Sequence, residues 1–113
     1  MQIIVPSSGR VIASDVRWAR SFRDRTTGLI GVDEVPAGFG MVFEPARQIH
    51  TFGMRVALDV VFCDRRWAVV HLVRHMAPRR ITRPVWRSRF VVEMAAGSLP
   101  AEVTVEQRLK LVG

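Results

Sequence analysis

A single cysteine, Cys63, is the whole thiol content of the 113 residues. It has no partner for an internal disulfide, and no second thiol supports a structural zinc site. Cys63 therefore reads as a small buried apolar side chain. Long apolar runs are missing too. The best stretch is broken by Asp59 and closed by Asp64, far short of the roughly 18 apolar residues that cross a bilayer, so no membrane is expected as a partner. The opening "MQIIVPSSGRV" has no basic leader, and its apolar run is below the roughly 7 to 15 residues of a signal-peptide core. A cytoplasmic protein is the expectation. The chain also lacks a nucleophile-elbow sequence, a phosphate-cradling glycine loop and a glycosidase-like pair of carboxylates. It has neither an internal repeat nor a low-complexity segment. These gaps point away from catalysis and from any cofactor.

Lysine is nearly absent, but arginine is not. Of the 17 basic residues 16 are arginine, and the formal net charge is +7. Such a surface attracts anions, whether nucleic acid, an acidic protein partner or a small phosphorylated ligand, although plain solubility accounts for positive charge as well. The distribution is sharper than the total: between Arg65 and Arg89 lie eight arginines and no acid. Trp67 and Trp86 fall in the same window, and guanidinium groups beside aromatic faces suit phosphate contacts combined with base stacking. Arg79, Arg80, Arg83, Trp86 and Arg87 are the candidate nucleic-acid-binding residues. The competing reading is a solvated loop whose arginines keep an edge strand from pairing with other chains.

With 49% apolar residues, a chain of this length sustains one core, and a single domain over residues 1–113 is expected. "MQIIVPSSGRVIA" places two apolar runs around Pro6-Ser7-Ser8-Gly9, a hairpin signal. "SDVRWARSFRDR" predicts a helix, with Ser14 as N-cap, Asp15 in the first turn, and Trp18 and Phe22 sharing a face. "LDVVFCD", "WAVVHLV" and "RFVVEM" are β-branched runs of strand length. "RLKLV" alternates as a final half-buried strand. Short connections favour antiparallel pairing, so the expected fold is mainly β: an antiparallel barrel or sandwich with one N-terminal helix.

The segment "QIHTFGMRVALDVVFCD", residues 48–64, carries the polar residues that such a core strand should not have. In extended chain Leu58, Val60 and Phe62 take one face, and Asp59, Val61 and Cys63 the other. A buried unpaired carboxylate costs several kcal/mol, so Asp59 must be paired or lie at a wet margin. Arg55 is the nearest basic residue in sequence, but about 13 Å away along a straight strand. His71 and His75 are separated by the same amount on a strand and cannot share a metal ion. No metal site is expected. Were there chemistry, His50 would be the natural acid or base.

Four motifs, "RTTGLIG", "GMVFEP", "IHTFGMRVALDVVF" and "VVEMAAG", together resemble the domain of unknown function family 192, a group of small, mostly prokaryotic proteins. The likeness spans about Ala13 to Val112. Its glycine-leucine-methionine motif falls on Arg25, Gly28, Leu29 and Ile30, its central segment on Gly53, Met54, Arg55 and Asp59, and its leucine-glutamate segment on Val92 to Gly97. The resemblance implies a compact β-rich domain of bacterial type with an early helix, and no reaction. Two turns depart from the family pattern, with Asp64-Arg65-Arg66 and Glu106-Gln107 where glycine is usual, and non-glycine residues are disfavoured at positive φ.

The leading expectation is a non-catalytic binding module in which His50, Thr51, Arg55 and Asp59 line a polar recess for a small anionic ligand or partner. Met54 packs beneath it and Glu93 approaches from another strand. The alternatives are nucleic-acid binding through the arginine window, and a small hydrolase or isomerase using His50 and Asp59.

Overall fold

The computed structural model describes residues 1–20 and 29–113. It contains eight strands among them: β1 (Gln2–Val5), β2 (Arg10–Ala13), β3 (Asp15–Trp18), β4 (Phe39–Phe43), β5 (Leu58–Cys63), β6 (Val69–Met76), β7 (Phe90–Ala95) and β8 (Lys110–Val112). They form a three-stranded sheet of order β2-β1-β8 and a five-stranded sheet of order β3-β4-β7-β5-β6. The expected opening hairpin is β1–β2, turned by Gly9 at φ 73°. The three β-branched runs became β5, β6 and β7, and "RLKLV" supplied β8, which pairs with β1.

One alternative falls away and one expectation is corrected. Neither sheet closes into a barrel. Nor does a helix start at Ser14: the backbone amides of Ser14 and Asp15 both donate to Gly38 O, and Asp15–Trp18 runs parallel to β4, with Trp18 opposite Val42. Over these four residues polar and apolar side chains alternate just as well as they recur at helical spacing. Asp15 and Arg17 are exposed while Val16 and Trp18 are half-buried against the core, and a β-branched valine suits that surface. The rest of the predicted helix, including Phe22, lies in residues 21–28, outside the described part of the chain. The β3–β4 pair also makes the large sheet mixed rather than purely antiparallel.

The period-2 alternation of β5 divides the interior. Val61 and Cys63 join Ile3, Val5, Val42 and Val92 in a core to which both sheets contribute. Leu58, Val60 and Phe62 face a second core on the opposite side of the large sheet, with Leu29, Val35, Met54 and Val91. The sheets approach closely at Gly40, where a Cβ would lie 3.1 Å from Ala13 Cβ.

Cys63 is fully buried in the first core. Burial pushes its thiol up to about 12, with the neighbouring Asp64 charge adding to the effect. Because the thiolate is the nucleophile, the folded protein is expected to resist iodoacetamide at mildly alkaline pH and to be alkylated fully in denaturant. Equal labelling rates in the two conditions would contradict the burial. Among the described residues no helix is long and apolar enough to cross a membrane.

Candidate functional site

The residues expected to form the polar recess are each engaged elsewhere. Asp59 is fully buried and faces the first core. Its Oδ1 accepts from the His75 amide at 2.8 Å, and its Oδ2 from the amides of Gly97 at 3.0 Å and Leu99 at 2.9 Å. One carboxylate thus ties β5 to the end of β6 and to the turn after β7. Arg55 does not reach it; its guanidinium pairs with Asp33 at 2.7 Å on the surface. Thr51 is also fully buried. Its hydroxyl donates to Ala77 O at 2.7 Å and accepts from the Arg80 amide at 2.8 Å, clamping the turn that follows β6. Met54 belongs to the second core. His50 is exposed, bridged to Ile81 and stacked on Phe52 at 5.4 Å. It makes no hydrogen bond with Asp59, whose oxygens already hold three amides.

Glu93 shares its side of the large sheet with Met54 and not with Asp59. In β7 it lies opposite Met41 of β4 and Val60 of β5, on the same face as Val91 and therefore on the other side of the sheet from Asp59. It is 5% exposed. Desolvation pushes its carboxyl up to about 7, because an apolar face disfavours the charged form.

The arginine window divides in space. Arg74 donates to Pro100 O and Val103 O, both at 2.8 Å, and braces a loop. Arg79, at φ 63°, and Arg80 belong to the turn held by Thr51. Arg83 lies close enough to His71 for its charge to lower that imidazole's pKa, an effect secondary to burial. The others converge. Arg65, Arg66, Arg87 and Arg89, joined by Arg47 from outside the window, line one open cleft of about 470 Å³ with Trp86 and Asp64. Trp86 is 76% exposed. Arg87 meets Glu106 at 3.2 Å and Arg89 meets Glu44 at 3.0 Å, which fixes two guanidinium groups along the wall. Among the described residues Arg47, Arg65 and Arg66 have no carboxylate within 4.0 Å. The sequence marked Trp86 and Arg87. Arg47 carried no signal, since only tertiary contact between residues 46–48 and 82–89, as in Val85 N–H to Arg47 O at 2.7 Å, brings it there.

The sequence matches the family model DUF192, described as "Uncharacterized ACR", over residues 3–111. The chain belongs to this family. No curated protein matches it at significance. Among solved structures, a DUF192-like fold recurs in a protein of unknown function from Novosphingobium aromaticivorans DSM 12444, with a TM-score of 0.79 at 16% identity, covering 98% of this chain and 84% of that one. A candidate transcription regulator from Sinorhizobium meliloti 1021 is similar at a TM-score of 0.76 and 22% identity, covering 96% and 89%. Identities this low carry the fold alone.

Within the DUF192 frame, the Asp64-Arg65-Arg66 turn lines the cleft, and the Glu106-Gln107 turn reaches it through the Arg87–Glu106 contact. In the first, Asp64 accepts from the amides of Arg66 and Ala68 at 2.8 and 3.0 Å. Trp67 takes the left-handed conformation, φ 64°, at a cost of about 1 kcal/mol. Its ring stacks on Phe90 at 4.4 Å and offsets that cost. In the second, Glu106 is left-handed at φ 77° and its carboxylate reaches Arg87. In this DUF192 protein the two turns therefore place two arginines without a carboxylate partner and one positioning carboxylate at the same cleft.

Proposed function

We propose that the protein is a non-catalytic binding module that holds nucleic acid in the cleft formed by Arg47, Arg65, Arg66, Arg87 and Arg89. The observation that carries this reading is Trp86, an indole 76% exposed among five guanidinium groups. Unpaired guanidiniums take phosphate oxygens bidentately. An exposed indole beside them offers a base a stacking platform. Arg79, Arg80 and Arg83 add only to the general positive field, because they sit outside the cleft.

Binding is expected to be strongly salt-dependent. Changing Arg47 and Arg65 together to Gln should weaken oligonucleotide binding and reduce the salt slope by about one for each phosphate no longer neutralised. Trp86→Ala should weaken binding about five- to hundredfold, as removal of a stacked base does. The Arg79, Arg80 and Arg83 to Gln triple variant should change affinity only a few fold. Fluorescence anisotropy with a labelled oligonucleotide at low salt reads all three. No measurable binding by the wild-type protein there would end the proposal.

A further inference from the structure

A second cleft adjoins the first. It has a volume of about 550 Å³ and is lined by Pro6, Arg66, Trp67, Arg108, Lys110 and two leucines, with no acid among them. Arg66 lines both clefts. The second cleft is built rather than incidental. Leu109 N–H donates to Trp67 O at 2.9 Å and Ala68 bridges to Arg108, so the chain leading into β8 is locked against the turn that carries Arg65 and Arg66. Trp67, backed by Phe90 with only 14° between the ring planes, cannot turn away. Arg66, Arg108 and Lys110 are exposed and meet no carboxylate within 4.0 Å among the described residues.

Each volume falls in the roughly 300–1,000 Å³ range of small-molecule sites, and each pairs an indole with unpaired cations. A compact anion would fill one cleft and leave the other's cations without a partner. A ligand with phosphates at regular intervals and a flat group between them would use both, crossing from one to the other at Arg66. The indoles call for bases already out of a duplex stack. We infer that the two clefts form one track for an extended single-stranded nucleic acid, in which Trp86 and Trp67 serve different bases and Arg66 holds the phosphate between them. This inference rests on the reading of the first cleft as a nucleic-acid site and adds the polymer and its path.

The test is anisotropy of labelled oligothymidylates and oligouridylates from about two to about twelve nucleotides, with wild-type protein and an Arg108→Gln/Lys110→Gln variant. Both substituted residues are exposed, and a thermal melt matching wild type establishes that the variant folds. Wild-type affinity is expected to rise with length beyond the dinucleotide. The variant should lose about tenfold or more on the longer strands, with a salt slope shallower by about two, and nothing on the dinucleotide. Affinity independent of length, or longer strands bound equally by the variant, would overturn the track while the first cleft stands as a site. A duplex bound as tightly as either single strand would also overturn it. Absence of binding at every length would remove both readings together.

Discussion

Asp59→Ala is expected to cost about 3 to 5 kcal/mol of folding stability, an effect large enough to unfold a domain of ordinary marginal stability. The carboxylate is fully buried and accepts three main-chain hydrogen bonds. Its removal leaves the Leu99 amide buried without an acceptor, with those of His75 and Gly97 partly so. An orphaned donor costs roughly 1–3 kcal/mol, and the emptied space adds a cavity term. Asp59→Asn separates charge from shape. One oxygen survives to serve Gly97 and Leu99, but the new amino group faces the His75 N–H, donor against donor, and a loss of about 1–3 kcal/mol should follow. Urea unfolding measures both. If Asp59→Ala stayed within about 1 kcal/mol of wild type, the carboxylate would not be the knot between β5, β6 and the turn after β7.

Glu93→Gln should act in the opposite direction, and only where the carboxyl is charged. The folded protein raises Glu93 from its ordinary 4.5 to about 7 through burial, so the native state binds this proton more tightly than the unfolded chain does. The stability contributed by Glu93 is full below about pH 4.5 and is lost as pH rises through about 7, a total of about 3 kcal/mol. Glutamine keeps the shape and removes the titration. The variant is expected to lie near wild type below about pH 4.5, to gain on it between about pH 4.5 and 7 by up to about 3 kcal/mol, and to keep that advantage above. Stability curves that ran parallel across that range would show that Glu93 ionises freely in the folded state.

The two carboxylates illustrate what the sequence could and could not yield. Alternation in "LDVVFC" assigned each side chain of β5 to its face, and it required that Asp59 be paired or lie at a wet margin. It could not say with what, because the partners are main-chain amides 16 to 40 residues away that any side-chain sequence could present. Arg55, the nearest basic residue along the chain, pairs with a surface aspartate instead. The error at Ser14 to Trp18 had a similar origin. In four residues helical and extended periods are hard to tell apart, and the parallel neighbour that decides between them begins at Phe39. The basic cleft was half legible. Composition located the arginines, but their division into a bracing Arg74, a clamped turn and a converging group depends on how the turns fold.

The order of strands in the large sheet also governs how it can be assembled on the ribosome. β7 lies between β4 and β5, yet it is translated after β3, β4, β5 and β6. Until residues 90–95 leave the exit tunnel, β3–β4 and β5–β6 are two half-sheets, each with a long open margin inviting foreign strands. The late-arriving segment, "FVVEMA", would itself be adhesive but for Glu93, which in the nascent chain carries an ordinary negative charge and acts as a gatekeeper. Insertion between the waiting halves buries that guard at the moment it ceases to be needed.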